Sequence, residues 1–433
     1  MPECTAQLVE TGACSDRDVA AAANQTGVAR RPSRLGALMK RLAAVLSLLV
    51  ALALVCYADE AGWARYRVFV PNDAAAQRLT DSSLPLFSDN VTLGFTDVIA
   101  GPEHQKELNH LGLPYFFVQA LPPPGPTMWA QSGDYRSAYF PLDAIIAQYE
   151  QWRQESPTWV TRVNAGTSWE GRAVWVYRLR EPSTPIPPRS VVLQAGIHAR
   201  EWISPSVVMH LFNNLRELAQ TSIMHRWLIN EVEVCAFPVL NPDGYEYTWT
   251  TNRLWRKNRR NNGSSYGVDL NRNYSVGFGG GGSSGNPSSD TYRGPSAFSE
   301  PETRAVRDFV ATLPNLVGFI DYHSYGQLIL WPWGYTTNSP PDRDELDRIG
   351  RMMEQEVESA YGADYRQGQT STTLYLASGV SNDWAYGVYR VPGLAIELRD
   401  RGTYGFRLPP DQIRPTQHEN YLAFEAYLID LVR

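Results

Sequence analysis

The 433-residue chain reads as an α/β protein: one long domain whose central sheet carries helices on both faces, preceded by a small α+β unit. Three observations carry that reading. From about Tyr139 to Arg433, strand-like and helix-like segments alternate. The strand-like segments are apolar runs rather than alternating ones, as expected for strands covered on both sides. The composition is that of a folded globular chain, with 43% hydrophobic and 19% charged residues, 13 tryptophans and 23 tyrosines. Disorder over the whole length is thereby excluded. A formal charge of −6 argues against a dedicated nucleic-acid binder, which carries a basic surplus.

In chain order, Met39-Lys-Arg41 is followed by Leu42–Ala58, 17 residues that are apolar almost without break. Charge, apolar run and small final residue predict a secretory signal over 39–58, cut after Ala58. The run is short for a membrane span; a signal anchor is the competing reading. Residues 1–38 read as a gene-model extension or alternative start, with Met39 as the initiator, or as a cytosolic leader before an anchor. Residues 59–120 form the small unit. Its strands are Tyr66–Val70, Thr96–Ala100 and Tyr115–Val118, and its helices Ala74–Leu79 and Pro102–Leu111. Leu121-Pro-Pro-Pro-Gly-Pro126 opens a stiff linker, 121–138.

The main domain spans 139–433. Its strands are Val174–Leu179, Val191–Ala195, Glu233–Leu240, Leu316–Tyr322 and Leu394–Leu398. Its helices are Pro141–Gln154, Ser204–Leu218, Ser299–Leu313, Asp342–Tyr361 and Asn420–Leu431. Gly277–Gly285 lacks the lysine of a phosphate loop and reads as a flexible surface loop. Cys235 lies in an apolar run and reads as a small buried hydrophobe; Cys4, Cys14 and Cys56 all precede residue 60. Of the sequons at Asn90, Asn262 and Asn273, the first is the favoured glycosylation site, and Asn273 is expected to be buried.

Several residues could carry chemistry. His198 and Glu201 stand three apart where the strand ending at Ala195 turns into a helix. His323 follows another strand, so the three could converge at strand ends, where sites in such sheets form. Two histidines and a carboxylate suit zinc and leave a position for water. The plain alternative is a hydrogen-bonded His–carboxylate pair. Glu397 lies inside an apolar strand; it is either an outward-facing residue of a half-exposed strand or a buried general base. Residues 252–260 hold five basic side chains in nine. They form either a solvated, salt-bridged turn or, with Asn271 and Arg272, a device for capturing a carboxylate.

Taken together, these pieces resemble the zinc carboxypeptidases of the A/B type over roughly Tyr139 to Arg433. The resemblance rests on His198-Ala-Arg-Glu-Trp-Ile, Asn241-Pro-Asp-Gly, Asn252-Arg-Leu-Trp-Arg-Lys, Asp269-Leu-Asn-Arg-Asn, His323-Ser-Tyr, Tyr375-Leu-Ala-Ser-Gly and Glu397-Leu-Arg-Asp. Seven ordered motifs are specific where any one is weak. The resemblance implies a mixed central sheet with helices on both faces and one zinc ion held by His198, Glu201 and His323. It implies Glu397 as the proton-transfer residue and Arg256 as the oxyanion stabiliser. Asn271 and Arg272 would grip the substrate's terminal carboxylate, Tyr375 would close over it, and Arg200 would guide the peptide further out. Asp269 would orient His198.

The pocket floor of the family falls on Asn382, which is neutral where B-type enzymes are acidic. Neutral C-terminal residues, apolar or aromatic, are therefore expected. The small unit resembles the family's propeptide, though it looks shortened after Asn90, and implies a zymogen cut by an activating protease. No lysine or arginine lies between Lys106 and Arg136, so Arg136 is the nearby tryptic position. Serines stand at 265 and 288, near where vertebrate relatives have a disulfide. The expectation is a secreted, extracellular, monomeric enzyme acting on peptide and protein C-termini, with no nucleic-acid partner and no stable membrane span. A B-type specificity for Lys or Arg termini and a non-catalytic C-terminus-binding protein are the alternatives.

Overall fold

The computed structural model describes residues 63–86, 91, 93–101, 104–121, 134–181 and 189–433. The segments 1–38 and 39–58, most of the proline-rich linker and the Asn90 sequon lie outside the described residues.

The first unit is a three-stranded antiparallel sheet of β1 (Trp63–Val70), β2 (Gly94–Ala100) and β3 (Tyr115–Leu121), in the order β2-β1-β3. Two helices accompany it, α1 (Asp73–Thr80) and α2 (Gln105–His110). The side chain of Asn72 caps α1 by accepting from Ala75 N at 3.0 Å. Val68, Val70, Leu79, Val98 and Leu108 close a small core.

The main sheet has eight strands: β4 (Val160–Thr167), β5 (Ala173–Leu179), β6 (Arg189–Ala195), β7 (Val232–Phe237), β8 (Leu316–Ser324), β9 (Leu328–Trp331), β10 (Arg366–Gln369) and β11 (Gly393–Leu398). Their order is β10-β9-β11-β8-β6-β7-β5-β4. The centre, β11-β8-β6-β7, is parallel, and antiparallel pairings join it to both flanks, so the sheet is mixed. Alternate residues of the buried strands feed two cores. Val191, Leu193, Ile320, Tyr322 and Ile396 pack with α3 (Leu142–Glu155), α4 (Ile203–Thr221), α8 (Arg343–Tyr361) and α10 (Ile413–Val432). Val192, Cys235 and Phe319 pack on the other face with α7 (Pro301–Val310) and α9 (Ser381–Tyr389). Cys235 is fully buried, and burial raises its thiol well above the ordinary value, as suits an inert hydrophobe.

The structure corrects several elements. Strands β4, β9 and β10 and helices α5 (Ile223–Glu231), α6 (Pro242–Thr250) and α9 carry weak patterns. β10 reads Arg-Gln-Gly-Gln and β4 is a largely exposed edge, so neither has an apolar run to announce it. α10 begins at Ile413 rather than Asn420, because Pro415 is tolerated in a first helical turn. β7 ends at Phe237 rather than Leu240. Nor is the glycine-rich stretch a simple surface loop. A Cβ on Gly282 would lie 1.8 Å from Leu376 O, so that backbone is packed hard against its neighbour.

The small unit sits against the main domain. Arg65 Nη1 donates to Gly402 O at 3.0 Å, and Ile99 packs with Leu254 and Phe406. Asn286 Nδ2 donates to Asp81 O at 2.5 Å, while Ser284 and Ser289 hydrogen-bond to Asp81 and Thr80 at the end of α1.

Candidate active site

The parallel register assembles the site. Glu397 on β11 pairs with His323 on β8, and β6 ends at Ala195 beside Tyr322. Beyond Ala195 the chain turns at Gly196, whose φ of +63° suits glycine and where a Cβ would meet Val239 at 3.2 Å. That turn delivers His198 and Glu201 before α4 begins.

His198, Glu201 and His323 are buried and offer donor atoms lying within 4.8 Å of one another. His198 Nδ1 is 2.8 Å from Glu201 Oε1, and His323 Nδ1 is 3.1 Å from both Glu201 Oε2 and His198 Nδ1. The far ring nitrogens face carboxylates: His198 Nε2 lies 3.0 Å from Asp269 Oδ1 and His323 Nε2 lies 3.1 Å from Asp321 Oδ2. Those carboxylates fix the protons on Nε2 and leave both Nδ1 lone pairs converging with an acidic oxygen. Three acceptors with no donor between them fit a divalent cation. Electrostatics agree. Burial opposes charge on Glu201, but His198 and His323 outweigh it and hold its carboxyl far below the ordinary range. Burial also opposes charge on His323, yet Asp321 and Glu201 raise it well above its usual value, so without a metal a proton on Nδ1 takes the place that a bound cation would hold.

His198, His323, Asn271, Arg272, Tyr375, Asn382 and Glu397 line one cavity. Glu397 is only 5% exposed in a strand buried throughout, which removes the half-exposed-strand reading. Arg256 is buried beside the centre, with Nη2 2.9 Å from Asp269 Oδ2 and Nη1 4.0 Å from Glu201 Oε1. Burial opposes charge on Asp269, but Arg256, Arg272 and His198 keep it ionised. Arg272 is 2% exposed; its Nε donates to Gly282 O and its Nη1 to Asn271 O, both at 2.7 Å, and its Nη2 is buried with no hydrogen-bond partner among the described residues. Asn271 Oδ1 accepts from Ser381 N at 2.9 Å, and its Nδ2 lies 3.1 Å from His323 Nε2. Asn382 Nδ2 reaches Thr370 Oγ1 at 3.4 Å.

Arg200 lies elsewhere. It is wholly buried, with its guanidinium 4.0 Å above the Phe406 ring and its Nη1 3.7 Å from Asp290 Oδ2. The basic segment is not a solvated turn either, since Arg253, Arg256 and Lys257 are all buried. Lys257 Nζ donates to Pro287 O and Ser289 O at 3.1 and 2.8 Å, and burial pushes it down to about 8. Both carbonyls flank Ser288. Asn273 is buried with its amide donating to Arg293 O and Ser296 O, so it is no glycosylation site. Asp321 went unassigned in the sequence reading. The available signal was its position two residues before His323, on the same strand face.

A two-histidine, one-glutamate donor set at the carboxyl ends of parallel strands, with a buried carboxylate alongside, defines a zinc hydrolase. The chain belongs to the zinc carboxypeptidase family, whose sequence profile matches residues 145–423. It is 42% identical to carboxypeptidase A4 of Mus musculus over 306 residues, covering 69% of this chain and 71% of that one. It is also 37% identical to carboxypeptidase B of Bos taurus over 297 residues, 68% and 71% of the two chains. Among solved structures, thrombin activatable fibrinolysis inhibitor matches with a TM-score of 0.75 at 28% identity, covering 86% of this chain and 99% of that one. Carboxypeptidase A from Helicoverpa armigera matches with a TM-score of 0.72 at 27% identity, covering 86% and 97%. The protein is a zinc-dependent metallopeptidase of the carboxypeptidase type, acting on peptides.

Proposed function

We propose that the protein is a secreted carboxypeptidase, made as a zymogen, that releases neutral apolar or aromatic residues from peptide C-termini in a digestive setting. The observation that carries the exopeptidase reading is Arg272. A guanidinium nitrogen buried without a partner, in the cavity that also holds Glu397 and the histidines, suits a substrate carboxylate. An internal peptide bond offers no carboxylate there and would leave that buried nitrogen without an acceptor.

His198, Glu201 and His323 would hold the zinc, with Asp269 and Asp321 orienting the two histidines. Bound there, zinc supplies Lewis acidity for the scissile carbonyl and acidifies water. Glu397 takes a proton from the attacking water and passes it to the leaving amine. Arg256 stabilises the developing oxyanion. Arg272 and Asn271 grip the terminal carboxylate and Tyr375 closes over it; Arg200, wholly buried against Phe406, would guide the peptide further out only after the small unit that packs on Phe406 has been removed. The side-chain pocket is walled by Leu330, Leu374, Ala377, Val380 and Ala395, with Asn382 as its neutral floor. That lining favours apolar C-terminal side chains over lysine or arginine.

The zymogen reading draws support from the contacts of α1. Ala76, Gln77 and Thr80 share a cavity with Tyr375 and Leu376, so the small unit stands beside the proposed lid. The domain plan is a signal at 39–58, a propeptide at 59–120, an activation segment at 121–138 with Arg136 as the tryptic position, and a catalytic domain at 139–433. No helix among the described residues is long and apolar enough to cross a membrane. Release rates of Phe, Leu, Arg and Gln from a peptide panel, with free and amidated termini and with and without chelator, test the whole reading. An arginine preference would overturn the specificity, and equal cleavage of amidated peptides would overturn the clamp. N-terminal sequencing of the secreted and the trypsin-treated protein tests the signal and activation sites.

A further inference from the structure

We propose that Gly282, in the glycine-rich stretch Gly277–Gly285, is a positioning residue for Arg272. This rests on the reading of Arg272 as the carboxylate clamp. Arg272 is anchored through main-chain carbonyls: Nε donates to Gly282 O and Nη1 to Asn271 O, both at 2.7 Å. Asp269 Oδ2 stands 4.0 Å from Nη1, beyond hydrogen-bonding distance. Neutral acceptors fix the plane of the guanidinium, and Asp269, at the outer edge of ion-pair distance, makes no hydrogen bond to it, so Nη2 is left to a ligand. A hydrogen-bonded carboxylate would compete with the substrate for it.

Gly282 also sets the neighbouring segment. At its φ of +72°, a Cβ would lie 1.8 Å from Leu376 O and 2.7 Å from the Leu376 carbonyl carbon. Leu376 follows Tyr375 directly, so one backbone contact serves both the anchor of the clamp and the strand of chain that carries the lid. Two further bonds hold these segments together: Ser378 Oγ donates to Gly281 O at 2.8 Å, and Gly379 N donates to Val276 O at 3.1 Å. Gly279 provides the internal control. Its φ of +84° imposes the same backbone strain, but a Cβ there meets only Arg293 Nε, at 3.7 Å.

The test compares G282A, G279A and S378A with the activated wild-type enzyme. KM and kcat are measured on a blocked dipeptide with a free C-terminus and on its amide, alongside zinc content. G282A is expected to raise KM for the free carboxylate by about tenfold or more, with kcat within about threefold and zinc stoichiometric. Its preference for the free over the amidated peptide should shrink in proportion. G279A should stay within about twofold of wild type, and S378A should raise KM by about threefold. A G282A enzyme matching G279A, or one that loses zinc and kcat at unchanged KM, overturns the proposal. Should G282A fail to fold, S378A decides: a raised KM at full zinc upholds it, and an unchanged KM overturns it. A wild type that does not discriminate between free and amidated termini overturns the clamp reading and this proposal with it. A discriminating wild type beside an unaffected G282A overturns this proposal alone.

Discussion

The two halves of the cavity are built by different means. The metal-facing half comes from strand ends and the turn after β6. Its histidines are each backed by a buried carboxylate, at 3.0 and 3.1 Å. The half proposed as the clamp comes from a short 3-10 turn and loops, and the Arg272 guanidinium there is held by carbonyl oxygens at 2.7 Å. The first half is set by sheet register and by strong charge pairing. The second depends on close backbone approach at Gly282. Changes in the first half should therefore abolish turnover, whereas changes in the second should alter which chain ends are accepted.

That division can be broken in a graded series. The largest effect is expected from metal removal: a chelator should take peptidase activity to baseline, and zinc should restore it. Activity that survives full zinc depletion would remove the distinction altogether. Next, E397Q should lower kcat by about 10²–10⁴-fold while zinc content and peptide affinity are retained. Zinc analysis and equilibrium binding of a slow substrate check this. R272A should lower kcat/KM by about 10²-fold or more, mostly through KM, and erase the preference for free over amidated termini. If kcat alone fell, the clamp half would belong to the chemistry after all.

Smaller effects sharpen the contrast. D321N should weaken zinc affinity by about 10–100-fold without altering C-terminal preference, as competition with a graded chelator would reveal. The smallest effect is a stability effect. Glu302 is as buried as Glu201, and burial, aided by the charge of Glu300, pushes it up to about 8. The folded state then holds a proton that the unfolded state has released above its ordinary value of 4.5. This contribution to stability therefore falls as pH rises from about 4.5 to about 8. E302Q removes the titration, so its Tm advantage over wild type should widen across that window. A constant difference would refute the shift.

How much could be read from the chain alone follows from the kind of signal each part leaves. β6, β8 and β11 are apolar runs buried on both faces, and they were legible as strands. β10 is polar and β9 has four residues, so only pairing with neighbours makes them strands. The histidines and Glu397 sat in motifs that the family resemblance picked out, but the residues themselves left Glu397 ambiguous. An acidic residue in an apolar strand reads the same whether its neighbours bury it or not. Gly282 was invisible as a site residue, because a glycine states only what backbone it permits. The basic segment was ambiguous in the same way as Glu397, since charge is compatible with solvent until carbonyl acceptors and aromatic faces are seen around it.

By itself, the amino-acid order determined the alternation of elements, the inventory of donors and the neutral side chain at Asn382. These are local properties, carried by residue type and spacing. The tertiary structure decided which donors meet. Parallel pairing of β8 and β11 brings Glu397 beside His323, more than seventy residues away in the chain, and loop contacts turn Arg272 toward the same cavity. Convergence of that kind is a property of register and packing, which no single segment encodes.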